Sequence, residues 1–124
     1  MKEGNISYES LASYTAGVLK KLGYSDAEAQ VTARVLVEAD ARGVPSHGVA
    51  RLSFYEGNIK QGAAFPNTEP EIVHETPLSL VVDGHNGSGS YIAEFSMKRV
   101  LDKARTSGAG FAAVRNSNHF GMAG

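Results

Sequence analysis

Apolar residues in the first half of the chain recur every three or four positions, which is the spacing of helices with one buried face. The pattern predicts three helices, which end near Leu22, at Gly43 and near Lys60. Each is preceded by a serine that can accept from free backbone N–H groups, and the second has the spacing of a capping box. The capping residues are Ser7, Ser25 with Glu28, and Ser46, and the positions expected to face the core are Leu11, Tyr14, Val18, Leu22, Val31, Val35, Leu36, Val49, Leu52 and Ile59.

Short runs of β-branched residues, separated by turn-forming residues, follow in the second half of the chain. They predict a hairpin of strands over 71–75 and 78–83, a helix over 91–105 that ends at Gly108, and a strand over 109–114. The apolar positions of that helix are Ile92, Phe95, Val100 and Leu101. Helices first and a strand–helix–strand unit afterwards indicate an α+β protein. We expect a helical subdomain over residues 1–65 and the start of a sheet domain over residues 66–124.

The composition is that of a globular protein, with 42% hydrophobic residues, 20% charged residues and a formal net charge of −1 over 124 residues. No basic run or face stands out, which argues against a nucleic-acid partner. The chain has no cysteine, which excludes disulfides, thiolate catalysis and cysteine-bound zinc. No run approaches the roughly 18 apolar residues of a membrane span, and no secretory signal follows the polar first residues. We therefore expect a cytoplasmic protein without membrane contact.

A hydroxyl, an imidazole and a guanidinium group lie close together in sequence where the second predicted helix ends and the third begins. Ser46 is placed to cap the third helix. His47, Arg51 and Tyr55 then follow at four-residue spacing along one face. The helix end and Arg51 can bind a carboxylate, with two parallel hydrogen bonds from the guanidinium, and His47 can exchange a proton beside it. In the alternative interpretation these residues are purely structural: Ser46 caps the helix, His47 and Arg51 form a solvated helix face, and Tyr55 packs at the edge of that face.

A second cluster follows the last predicted strand and runs from Asn116 through His119 to Gly124. Its amide and hydroxyl side chains can orient the His119 ring, and Gly121 and Gly124 can let a flat cofactor approach the backbone. The alternative is a polar loop with an exposed histidine. No carboxylate in this stretch stands at ligand spacing to His119 or His47, and a metal site needs three or four ligands. No metal is therefore expected.

Glycines at positions 84, 87 and 89 stand between a strand and a helix, where a Rossmann dinucleotide-binding turn would stand. Their spacing differs from Gly-x-Gly-x-x-Gly, and the next strand ends in Arg115 instead of an acid that would bind a ribose hydroxyl. These glycines are therefore interpreted as a tight turn and a helix start, or as a contact with a neighbouring subunit.

Three segments resemble the malate/L-lactate dehydrogenase family, which is unrelated to the Rossmann lactate and malate dehydrogenases. They are Ala39-Asp-Ala-Arg-Gly-Val-Pro-Ser-His-Gly-Val-Ala-Arg-Leu52, Leu80-Val-Val-Asp-Gly-His-Asn-Gly-Ser-Gly89 and Val114-Arg-Asn-Ser-Asn-His-Phe-Gly-Met-Ala-Gly124. The resemblance implies a non-Rossmann nucleotide-binding domain with a mixed sheet, NAD or NADP as cofactor, a small 2-hydroxy or 2-oxo acid as substrate, and a homodimer. Family members run well over twice this length, so the resemblance covers their N-terminal part.

The same resemblance implies roles for individual residues. Ser46, His47 and Arg51 would hold the substrate carboxylate, with His47 as proton donor and Tyr55 near the substrate. His119, close to the nicotinamide together with Gly121, would be the alternative acid or base. The sequence leaves open which histidine carries the proton. Two other interpretations are a truncated, non-catalytic fragment and a carboxylate-binding module without redox chemistry.

Overall fold

The computed structural model of the chain describes residues 4–123. Helices and strands follow one another in the predicted order, and the α+β class is confirmed. The helices are α1 (Tyr8–Lys21), α2 (Asp26–Ala41), α3 (Leu52–Lys60) and α4 (Gly89–Ser107), with 3-10 turns over Pro45–His47 and Val49–Arg51, and the strands are β1 (Glu71–Glu75), β2 (Ser79–Asp83) and β3 (Phe111–Arg115).

The first two helices begin at the predicted caps. The Ser7 hydroxyl accepts from the Ser10 amide at 3.1 Å, and Ser25 and Glu28 form a complete capping box. Glu28 does more than the sequence predicts, because its carboxylate is 1% exposed and also accepts from the backbone amide of Asn67 at 2.8 Å. The loop after α3 is thereby fastened to the start of α2.

The predicted buried face of α1 is wrong in part, because Tyr14 is 65% exposed. The helix packs instead through Ala16 and Leu19, which share a cluster with Ala29 and Ala33 of α2. Both helices contribute small alanine side chains to this contact, which pack together without a larger ring. The buried residues of α1 are Thr15, Ala16 and Leu19.

The three strands form one mixed sheet in the order β1-β2-β3. The hairpin is confirmed, since β1 and β2 pair antiparallel, whereas β2 and β3 pair parallel with Val82 opposite Val114. Helix α4 makes the crossover between the two parallel strands. Because parallel strands point the same way, the segments that follow Asp83 and Arg115 leave the sheet at the same edge.

Two hydrophobic clusters stabilise the fold. One joins α1, α2 and Tyr55 of α3, and the other joins the buried residues Leu80 and Val82 of β2 to Ile92 of α4. A buried hydrogen bond of 2.9 Å between Thr32 of α2 and Ser88, the N-cap of α4, connects them. Leu101, one of the apolar positions of the predicted helix, is 46% exposed. The domain boundary at residue 65 stays a prediction.

Candidate functional site

The segment around His47 begins the third helical region differently from the prediction. Ser46 does not cap a helix: the chain makes two 3-10 turns separated by an extended Gly48, and α3 starts only at Leu52. The reason is Asp40 of α2, whose carboxylate accepts from the Val49 amide at 2.8 Å and so takes the capping role. The Ser46 hydroxyl lies 3.0 Å from Nδ1 of His47 instead.

The predicted stacking of His47, Arg51 and Tyr55 on one helix face is therefore wrong, since only Tyr55 lies in α3. Most of the backbone amides at this helix end are already occupied, and their binding of a carboxylate stays a prediction. The backbone amides of His47, Gly48 and Arg51 all donate to carbonyl groups of this same segment. These three amides are therefore not available to an anion.

Arg51 keeps the capacity to hold an anion. Its Nε donates to the Ser46 carbonyl at 2.8 Å, and its guanidinium carbon lies 5.4 Å from the centre of the Phe54 ring. These contacts fix the direction of the guanidinium group. Within residues 4–123 its two terminal nitrogens make no hydrogen bond, so both are open to the two oxygens of a carboxylate.

The structure brings the two sequence clusters together. The Tyr55 hydroxyl lies 2.7 Å from Nδ1 of His119, across 64 positions of the chain. The ring centres of His119 and His47 are 5.6 Å apart. Two imidazoles and the Arg51 guanidinium therefore share one small region, as expected if these residues form a site.

Tyr55 belongs both to this site and to the helical core. Its side chain is 6% exposed and packs in the cluster of α1 and α2. Burial raises the pKa of Tyr55 far above its ordinary value, so the phenol keeps its proton at neutral pH. The predicted contact of Tyr55 with substrate stays a prediction; the contact that the structure gives is with His119.

The electrostatic surroundings of His119 favour its neutral form. Burial lowers the pKa of His119, and the nearby Arg51 charge and His47 lower it further. Its second ring nitrogen, Nε2, is buried without a hydrogen-bond partner in the described part of the chain. A buried polar group of this kind costs about 1–3 kcal/mol while it is unsatisfied, and such groups occur at catalytic positions and beside bound water or ions.

The loop that carries His119 is held by the segment that follows β2. The side-chain amide of Asn118 donates to the backbone carbonyl groups of Asn86 at 2.8 Å and Gly87 at 3.0 Å. A side chain on Gly89 would overlap the backbone carbonyls of Asn118 and His119. The interpretation of these glycines as a turn and helix start is confirmed, since Gly89 is the first residue of α4. The sequence did not predict that the backbone of Gly87 and Gly89 also supports the loop that carries His119.

Asp83 at the end of β2 anchors the beginning of the same loop. Its carboxylate accepts from Nε of Arg115 at 2.8 Å and from the side-chain amide of Asn116 at 3.0 Å. Hydrogen bonds from the Asn116 side chain and the His85 backbone hold the pKa of Asp83 at about 2. Sequence reasoning missed Asp83, although its position at the end of a strand parallel to β3 is a signal that could have found it.

Two details of the second cluster differ from expectation. The polar side chains of 116–118 bond to the backbone and to Asp83 and do not touch the His119 ring, which Tyr55 orients instead. Gly121 has a positive φ of 100°, and a side chain there would overlap Val35 of α2. Packing against α2 thus explains this glycine, and its contact with a cofactor stays a prediction. Gly124 lies outside the described residues.

Two other properties concern the described part of the chain as a whole. Within residues 4–123, no three His, Asp or Glu side chains are grouped closely enough to hold a metal ion. None of the helices described there is long and apolar enough to cross a membrane.

The fold is that of a family of dehydrogenases. The chain belongs to the malate/L-lactate dehydrogenase family, whose sequence profile matches residues 6–124. It is 40% identical to the malate dehydrogenase of Pyrococcus abyssi over 96% of this chain and 33% of that protein. It is 33% identical to the ureidoglycolate dehydrogenase (NAD(+)) of Escherichia coli over 94% of this chain and 33% of that protein.

A solved structure agrees with this assignment. The sulfolactate dehydrogenase of Methanocaldococcus jannaschii superposes with a TM-score of 0.92 and 38% sequence identity, over 96% of this chain and 35% of that one. The chain spans about a third of the length of the curated relatives it matches.

Proposed function

We propose that this chain carries the substrate-binding and proton-handling residues of an NAD(P)-dependent oxidoreductase that acts on small 2-hydroxy or 2-oxo acids. The observation that carries the proposal is the 5.6 Å separation of the His47 and His119 rings, with the charge of Arg51 near His119. The names of the relatives, which act on malate, sulfolactate and ureidoglycolate, support a substrate with a carboxylate beside the reacting carbon.

Each polar side chain has a part in this proposal. Arg51 holds the substrate carboxylate through its two terminal nitrogens, and Ser46 adds a hydroxyl beside it. His47 and His119 face the neighbouring oxygen, which gains a proton on reduction and loses one on oxidation. The bound carboxylate also offsets the positive charge of Arg51 next to the two imidazoles.

The residues present fit a nicotinamide cofactor. Nε2 of His119 is a buried polar atom without a partner in the described chain, so it can form a hydrogen bond with a bound group. His119 and the backbone of Gly121 are the positions proposed to contact the cofactor. When bound, the nicotinamide supplies or accepts the hydride, and the protein orients the substrate and moves the proton. We also propose that the oxidoreductase is a homodimer.

The test is reduction of a panel of 2-oxo acids by the full-length protein, followed through the absorbance of NADH and of NADPH. Oxaloacetate and sulfopyruvate correspond to the relatives' names, and a ketone of similar size without a carboxylate is the matched control. We expect reduction of at least one acid with one of the two nucleotides, and none of the neutral ketone. Equal rates with the ketone would contradict the role of Arg51, and no reduction of any acid would contradict the proposed function.

The carboxylate-binding alternative gives a different result in the same experiments. A module without redox chemistry would bind a 2-oxo acid in calorimetry with no nicotinamide present and would oxidise neither nucleotide. An oxidoreductase of the proposed kind gains affinity for the acid when the nucleotide is bound, or turns it over.

A further inference from the structure

We propose that Tyr55 is a positioning residue that fixes His119 as the neutral tautomer with its proton on Nε2. His119 then acts as a hydrogen-bond donor to the substrate oxygen, and His47 is the histidine that carries the proton. The first part is a property of the folded chain. The second part rests on the function proposed above.

The direction of the bond between Tyr55 and His119 follows from what surrounds the phenol. The hydroxyl has one hydrogen to place, and within residues 4–123 its one hydrogen-bond partner is Nδ1 of His119, at 2.7 Å. If Nδ1 carried a proton, the hydrogen of the buried hydroxyl would be left without an acceptor. The hydroxyl therefore donates, Nδ1 accepts, and the ring proton resides on Nε2.

The surroundings also keep the ring from taking a second proton. A proton on Nδ1 would turn the Tyr55 hydrogen away from its acceptor and would place a buried cation beside the Arg51 guanidinium. Arg51, His47 and Tyr55 are the charged or titratable groups that face this ring, and burial itself acts in the same direction. His119 thus presents a fixed N–H donor from its buried Nε2.

A donor held in this way is a poor source of protons. If Nε2 gave up its proton, either the ring would become an anion or Nδ1 would take the Tyr55 proton and leave a buried phenolate. His47 has neither difficulty, because it is half-buried and lies next to the exposed Ser46 hydroxyl. Water can therefore restore a proton to His47 after each turnover.

The chemical balance assigns one task to each histidine. Reduction of a 2-oxo acid forms one C–H bond with the hydride of the reduced nicotinamide and one O–H bond with a proton. That proton leaves a ring nitrogen of protonated His47, whose N–H bond breaks, while the Nε2–H of His119 polarises the same oxygen. The ring centres are 5.6 Å apart, which is close enough for both histidines to contact one substrate oxygen.

The tautomer is measured directly from the ¹⁵N shifts of the histidine rings, with the four histidines assigned by single His→Gln variants. We expect the wild-type His119 ring to carry its proton on Nε2. Tyr55→Phe should mix the two tautomers and raise the pKa of His119, whereas Tyr24→Phe, in the same core cluster, should change neither. A wild-type ring protonated on Nδ1 would overturn the proposal, and this result does not require that Tyr55→Phe folds.

The division of tasks is tested by kinetics of the full-length protein. The amide of glutamine can replace an N–H donor but cannot carry a proton. His119→Gln should therefore keep at least about tenfold more kcat than His119→Leu, whereas His47→Gln should be as inactive as His47→Leu. Equal loss in both His119 variants would overturn the donor role. If the ring shifts are as expected but no acid is reduced by the wild type, the proposed function fails and the tautomer assignment stands.

Discussion

The carboxylate of Asp40 occupies the space that a side chain on Gly48 would need. Asp40 can lie there because residue 48 has no Cβ, and from there it accepts from the Val49 amide and holds the turn between His47 and Arg51. Gly48, next to His47, is therefore required by Asp40 in the preceding helix α2. This relationship makes the shape of the site sensitive to the smallest possible substitution.

Gly48→Ala should destabilise the fold by about 1–3 kcal/mol, because the added methyl displaces Asp40 from the turn. Gly17→Ala is the matched control, since nothing lies within 4 Å of a methyl group at that position of α1. It should be neutral or stabilising by about 0.5–1 kcal/mol, as for glycine in a helix interior. Urea unfolding of both variants checks the difference, and equal effects would contradict the role of Asp40.

Arg51→Lys should raise the KM for the acid substrate roughly tenfold or more with little change in kcat. The reason is that lysine cannot make the two parallel hydrogen bonds that a guanidinium makes with a carboxylate. Arg42→Lys, on an exposed residue paired with Glu38, is the control and should leave both constants unchanged. Steady-state kinetics at saturating nucleotide measures the effect. An unchanged KM in Arg51→Lys would exclude this residue as the carboxylate ligand.

Arg51→Gln should raise the pKa of His119 towards its ordinary value of 6.5, because the variant removes a positive charge that disfavours protonation of the ring. Burial remains in the variant, so the rise is expected to be incomplete. An NMR titration of the His119 ring measures it, with Arg42→Gln as a charge-matched control. The same pKa in the wild type and in Arg51→Gln would show that the guanidinium charge does not reach the ring.

Asp83 makes the stability of the sheet end depend on pH. Its pKa of about 2 in the folded chain lies below the ordinary value of 3.8, so the folded state favours the ionised carboxylate. The stabilisation is therefore complete above about pH 4 and is lost as the pH falls towards 2. Denaturant unfolding at several acidic pH values should show this loss in the wild type.

Two variants separate the Asp83 contribution from general acid unfolding. Asp83→Asn cannot titrate and should show a smaller decline in unfolding free energy between pH 4 and 2. Asp102→Asn, on an exposed residue that pairs with Arg105, should decline as the wild type does. A parallel decline in all three proteins would contradict the role assigned to the Asp83 carboxylate.

Local sequence was enough wherever the partner of a residue lies close to it along the chain. Ser7 and Ser25 cap helices as predicted because each accepts from an amide three residues away. Ser46 has the same local pattern, but Asp40 reaches the turn from another helix and takes its place. Local spacing indicates which residues can cap a helix and cannot show which acceptor the fold brings nearer.

The candidate site shows the same limit. Its histidines and Arg51 stood out in the sequence because of their chemistry, and the resemblance to a family named the same residues. The partner of the His119 ring did not stand out, because Tyr55 is 64 positions away and its aromatic ring suits a core position equally well. The neighbouring polar residues, which sequence reasoning favoured for that role, bond to the backbone and to Asp83 instead.

Tyr55 packs in the helical core with its ring and contacts His119 with its hydroxyl. The helices and the site therefore share one rigid part and cannot change independently. Laboratory evolution for heat resistance would select tighter core packing around this ring, and such changes would also move the imidazole that we propose contacts the substrate. We expect thermostable variants selected without an activity screen to accumulate losses of turnover that trace to core positions far from the substrate.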